Sequence, residues 1–142
     1  MELSPYLNFN GDCAAAFRFY ERCFGGTIVM MQTHGESPMK DQVPPDWRDR
    51  VIHARLVVGG QALMGSDAPP DHYERPQGTH VSISVASADA ERIFRALAEG
   101  GTVSMPFQRT FWSPGFGMVV DRFGTPWMVN SEPQPEDLAQ AG

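Results

Sequence analysis

Cysteine is scarce in this chain, cationic side chains never cluster, and no apolar run approaches the length of a membrane span. Each lack excludes something. A bilayer-crossing helix needs roughly 18 or more consecutive apolar residues, so a membrane is not an expected partner. Eleven Lys and Arg against seventeen Asp and Glu leave a formal net charge of −6, with no basic stripe to meet a phosphate backbone. Nucleic acid is not an expected partner either. The opening Met-Glu-Leu-Ser-Pro-Tyr has neither the basic flank nor the apolar core of an export signal, and the expected location is the cytoplasm. Cys13 and Cys23, if they share one helix, stand about 15 Å apart at about 1.5 Å per residue, too far for a disulfide. They read as two reduced thiols packed as small apolar groups.

Familiar catalytic signatures are missing too. There is no Gly-x-Ser-x-Gly turn, the four histidines show no His-x-x-x-His spacing, and no Cys-His pairing is evident. A glycine-rich loop leading from a strand into a helix is also absent, because Gly100-Gly101 follows a helix instead. What remains is 42 % apolar and 20 % charged, the composition of an ordinary folded domain or of two small halves sharing a core.

Taken in order, Leu3–Asn10 is extended, with Tyr6 and Asn8 on one face and Leu7 and Phe9 on the other. Asp12 is placed to cap a helix over Cys13–Phe24 that Gly25-Gly26 ends. Arg18, Glu21 and Arg22 are its polar positions, and the broad apolar remainder predicts more than one neighbour. A strand over Thr27–Gln32 and a polar loop from Thr33 to Arg50 follow. Val51–Val58 and Gln61–Ser66 form a hairpin about Gly59-Gly60. After the proline-bearing loop Asp67–Gly78 the order begins again. Thr79–Val85 is a strand with His80, Ser82 and Ser84 on one face. Ser87 is placed to cap a helix whose Ala90, Ile93, Phe94, Leu97 and Ala98 make one stripe. The last hairpin pairs Met118–Val120 with Trp127–Val129 about the turn Asp121–Gly124, and Phe111, Trp112 and Phe116 crowd its entrance.

Gly25-Gly26-Thr27-Ile28-Val29-Met30 is echoed by Gly100-Gly101-Thr102-Val103-Ser104-Met105, an offset of 100 − 25 = 75 positions. The same offset pairs Asp12 with Ser87 as caps and Phe19 with Phe94 as core residues. We read an internal duplication of strand, helix and three strands: a first module over 1–66, a connecting loop over 67–78, a second module over 79–131 and a polar tail over 132–142. The expected class is α+β, two β-α-β-β-β modules forming a curved mixed sheet around a cavity, with the helices on the outer face.

Several motifs resemble a known family. Phe19-Tyr20-x-x-x-Phe24-Gly25 and Asp121-Arg122-Phe123-Gly124 are similar to signatures of the vicinal-oxygen-chelate superfamily, the glyoxalase, extradiol-dioxygenase and bleomycin-resistance group. Pro5-Tyr6-Leu7, His53-Ala54-Arg55, Met64-Gly65-Ser66-Asp67, Thr110-Phe111-Trp112 and Phe123-Gly124-x-Pro126-Trp127-Met128-Val129-Asn130 resemble its PhnB-like branch. The resemblance runs from Leu3 to Asn130 and implies paired modules, commonly in a homodimer, with a pocket inside a U-shaped sheet. Members that work on a metal place four ligands on the first and last strands of each module. The aligned positions here are Pro5, Met64, His80 and Met128, of which only His80 suits a hard or borderline cation. No metal and no cofactor are therefore expected. PhnB-like domains are often labelled as similar to a methyltransferase, yet a conventional S-adenosylmethionine loop is absent and methyl transfer is not expected.

The first expectation is a protein binding a small, partly apolar molecule through His80, Met64, Met128, Trp112 and Phe116. Asp67 is added either as a ligand contact or as a helix or turn cap. The alternative is an enzyme of isomerase, lyase or dioxygenase type using His80 as its base. A third reading gives the dimer surface the main role. His34 and His72 are expected to be solvated in loops, and His53 to make a structural hydrogen bond.

Overall fold

The computed structural model describes residues 1–133; the rest of the expected polar tail lies outside the described residues. The chain divides into two compact units between Arg75 and Pro76. The first contains β1 (Tyr6–Phe9), α1 (Cys13–Phe24), β2 (Thr27–Thr33), β3 (Val51–Val58) and β4 (Gln61–Asp67). Its sheet has the order β1-β4-β3-β2, with β1 parallel to β4 and the other neighbours antiparallel. The second contains β5 (Val81–Val85), α2 (Ser87–Ala98), β6 (Thr102–Gln108), β7 (Phe116–Val120) and β8 (Pro126–Ser131). It repeats the plan as β5-β8-β7-β6. The α+β class and the two β-α-β-β-β modules are thus observed, as two open four-stranded sheets. No helix among the described residues is long and apolar enough to cross a membrane.

In each unit one face of the sheet is covered by the helix. In the first unit, α1 buries Ala16, Phe17 and Tyr20 beside Phe9, Ala54 and Leu56. Phe9 and Phe17 meet edge to face at 6.2 Å, and Phe17 and Tyr20 at 5.9 Å. Burial of each such ring contributes about 2–3 kcal/mol. In the second unit, Ala90, Ile93, Phe94 and Leu97 of α2 are buried, as are Val119, Trp127 and Val129. The alternation of strands leaves the opposite side of each sheet, its far face, for other residues.

Glycines let the chain leaving each helix approach the neighbouring strand. A Cβ on Gly26 would lie 2.5 Å from the Val57 carbonyl oxygen, and one on Gly101 would lie 2.3 Å from that of Val120. Gly25 and Gly100 turn the chain out of the two helices with φ of 74° and 73°. Just beyond, both β2 and β6 carry a bulge, between Ile28 and Met30 in one and between Val103 and Met105 in the other. The offset of 75 therefore holds from the helix stop into β2 and β6. Within the helices it is 87 − 13 = 74, because Glu99 adds a residue before Gly100. The partner of Phe94 is accordingly Tyr20, and that of Phe19 is Ile93.

Two expected caps are corrected as well. Asp12 occupies the N-cap position of α1 without a capping bond from its side chain, and the N-cap of α2 is Ala86 rather than Ser87. The Ser87 hydroxyl instead meets that of Ser131 at 2.7 Å.

Candidate functional site

Strand register fixes which far-face side chains are neighbours. In the first unit one row runs Tyr6, Met64, Arg55, Met30 across β1, β4, β3 and β2. The corresponding row of the second unit runs Ser82, Met128, Met118, Met105 across β5, β8, β7 and β6. Its next row is Ser84, Asn130, Phe116, Gln108. Trp112, half-exposed, packs on Phe116 with ring centroids 5.3 Å apart and planes at 69°. Three thioethers and two rings thus form a surface that the α2 core does not use.

One polar group there is incomplete. The Asn130 Nδ2 donates to the Ser84 hydroxyl at 3.3 Å, while its Oδ1 is buried with no partner. Exchanging the amide ends would satisfy the oxygen from the serine and orphan the nitrogen instead, so either orientation leaves one end unmatched. A buried amide end without a partner costs about 1–3 kcal/mol.

The far face of the first unit is more polar. The Tyr6 hydroxyl lies 3.3 Å from His53 Nδ1, and the two rings stack at 5.8 Å. Arg55 donates to both carboxylate oxygens of Glu2, at 2.9 Å and 2.6 Å, and its Nη1 also reaches Met64 Sδ at 3.5 Å. The hydrogen bond from Arg55 holds the Glu2 carboxyl below its usual range.

Asp67 is where the expectation of a ligand contact gives way to the other reading. It is buried at the end of β4. One oxygen accepts from the Gly11 and Cys13 amides, each at 2.9 Å, and the other from the Val51 amide at 2.9 Å. The carboxylate therefore caps α1 from across the sheet and ties down the start of β3. Burial, aided by the negative charge of Asp67, raises the Cys13 thiol far above its ordinary range. That thiol is not a nucleophile at neutral pH.

The histidines separate by environment. His34 is buried rather than solvated, and its Nε2 donates to the Asp67 carbonyl at 3.3 Å. His72 is exposed, and His53 makes the Tyr6 contact described above. His80 is exposed one residue before β5, continuing the side of Ser82 and Ser84 but outside the strand. Trp47 anchors its loop: Arg50 lies over the indole at 5.7 Å and donates to the Gly11 carbonyl at 2.7 Å.

The register pairs Met64 with Tyr6 and Met128 with Ser82. Two thioethers, a phenol and a hydroxyl are poor company for Mg, Mn or Fe(II). Shifting the first-strand positions to Pro5 and His80 adds one imidazole. Among the described residues, no group of three or more His, Cys, Asp or Glu is placed to hold a metal ion. The family's metal does not fit this donor set.

Sequence reasoning did not single out Arg55, Asn130, Met105 and Met118. Their far-face placement follows from strand alternation, with buried Ala54 beside Arg55 and buried Val119 beside Met118.

Residues 3–129 match the Glyoxalase/Bleomycin resistance protein/Dioxygenase superfamily. The chain belongs to that superfamily. It is 37 % identical over 139 residues to protein YjdN of Escherichia coli, covering 92 % of this chain and 95 % of YjdN. The crystal structure of protein PA1353 from Pseudomonas aeruginosa is 50 % identical, with a TM-score of 0.86 over 94 % of this chain and 99 % of that one. The PhnB protein from Bacillus cereus shares the fold at a TM-score of 0.78 and 23 % identity, over 93 % of this chain and 100 % of its own. This chain is thus a glyoxalase-superfamily protein that shares its fold with a PhnB protein.

Proposed function

We propose that this glyoxalase-superfamily protein binds a small, partly apolar molecule on the far face of its second unit without the family metal. The observation carrying this reading is the surface of Met105, Met118, Met128 and Phe116, walled by Trp112 and holding the unmatched amide end of Asn130. Flexible thioethers adapt to guests of varied shape, rings stack on planar ones, and a single polar group sets orientation. The favoured ligand is planar and mostly apolar, with one hydroxyl or amide. His80, just before β5, is a further contact in this proposal. Asp67 is left out, since its carboxylate is already committed to three backbone amides.

A cytoplasmic location suits two buried thiols packed as small apolar groups in the core. A homodimer suits the almost fully exposed Phe111 beside half-exposed Trp112, an apolar pair that a second copy could cover.

The test is a titration with 2-naphthol, followed by the quenching of tryptophan fluorescence. Saturable binding with 2-naphthol recovered unchanged is expected, weakened by Trp112→Ala and by Met128→Lys. No saturable binding would overturn the reading, as would about one tightly held divalent ion per chain in protein purified without added metal. Turnover abolished by His80→Ala with binding intact would make the protein an enzyme.

A further inference from the structure

The far face of the first unit carries a fork-shaped cation whose present partner is open to solvent. Arg55 stands in the middle of β3, between Met64 and Met30 in its row. Its stem is fixed by the sheet, and Nη1 rests 3.5 Å from Met64 Sδ. Glu2 comes from the residues before β1, which form neither helix nor strand. Its side chain is 54 % exposed, against 30 % for Arg55. The two meet in parallel, Nη1 with Oε1 at 2.9 Å and Nη2 with Oε2 at 2.6 Å. This two-pronged geometry is how guanidinium recognises a planar carboxylate.

We infer that Arg55 is a carboxylate-binding site on the far face of the first unit, occupied in the free protein by Glu2 and taken over by a small-molecule carboxylate. Three features support the exchange. The Glu2–Arg55 pair is open to solvent, and such pairs contribute little to stability, so a competitor meets a weak incumbent. The incumbent is chemically a carboxylate, which shows the anion that the fork accepts. The surroundings then select the rest of the molecule: Met64 lies beside the guanidinium, and the stacked Tyr6 and His53 rings lie on the same face. A ligand with a flat apolar body next to its carboxylate would meet a thioether and an aromatic wall once the anion is seated. Glu2 acts as a placeholder that lowers affinity for weak anions. This site is built wholly from the first unit and stands independently of the naphthol surface of the second.

The test follows the ε-methyl signal of Met64 by NMR during titration with benzoate, using benzamide as the uncharged control. Benzoate is expected to shift the signal saturably and benzamide to leave it in place. Glu2→Gln, which removes the competitor without touching the sheet, should tighten benzoate binding by about two- to fivefold. Arg55→Gln should abolish it. The inference is overturned if benzoate moves the signal in neither the wild type nor Glu2→Gln, if benzamide binds equally well, or if Arg55→Gln retains the wild-type affinity. A failure here leaves the 2-naphthol result untouched.

Discussion

The two units share a scaffold and differ in what they put on it. On the helix side the correspondence is close: Ala16 and Ala90, Phe19 and Ile93, Tyr20 and Phe94, Cys23 and Leu97 are all buried, each pair 74 positions apart. Cys13 and Ser87 occupy matching first positions of the two helices. On the far side the correspondence is looser, with Tyr6 against Ser82 and Arg55 against Met118, while Met64 and Met128, and Met30 and Met105, keep their identity. Packing constrains one face to a narrow set of shapes and leaves the other to diverge. The chemistry of this protein is therefore to be sought on the far faces, separately in each unit.

One helix-side difference can be broken directly. Asp67 and Ser131 end the equivalent strands β4 and β8, paired with Phe9 and Val85. Asp67 serves three backbone amides, whereas the Ser131 hydroxyl meets the Ser87 hydroxyl at 2.7 Å. Asp67→Ala leaves buried donors unmatched and is expected to cost about 3–5 kcal/mol in urea unfolding. Ser131→Ala is expected to cost about 1 kcal/mol. Equal losses would mean that the first unit does not depend on its carboxylate clasp.

A second pair should behave alike. Gly26→Ala and Gly101→Ala each drive a Cβ against a carbonyl of the neighbouring strand, and each is expected to lose about 2–3 kcal/mol by the same measurement. A large loss at one and none at the other would break the equivalence of the helix stops. The smallest stability effect belongs to the far face, where Met128→Leu is expected to change unfolding by less than about 1 kcal/mol while altering 2-naphthol affinity. Finally, Cys13 should resist iodoacetamide at neutral pH in the folded protein and react on unfolding, since burial keeps its thiol protonated.

The fold was legible because its signals are local and repeated. Helical stripes, double-glycine stops and a hairpin turn at Asp121–Gly124 each appear within a few residues. The turn is realised as expected, with the Asp121 carboxylate accepting from the amides of Phe123 and Thr125 and from the Trp127 indole. The extra residue at Glu99 was hidden, because a glycine pair aligns the repeat at the stop whatever the helix does before it. Asp67 was ambiguous for a related reason: its partners Gly11, Cys13 and Val51 are distant in sequence, and a terminal strand residue gives no sign of which backbone amides it will meet. Arg55 and Asn130 were missed because far-face neighbours are set by strand register, which one-dimensional spacing does not supply.

The central claim, that the far face of the second unit receives the ligand, is tested most directly by labelling the eight methionine ε-methyl groups and titrating with 2-naphthol. Saturable shifts at Met105, Met118 and Met128, with exposed Met39 unmoved, are predicted. Shifts confined to Met1 and Met39, or none at any concentration that 2-naphthol's solubility permits, would contradict it.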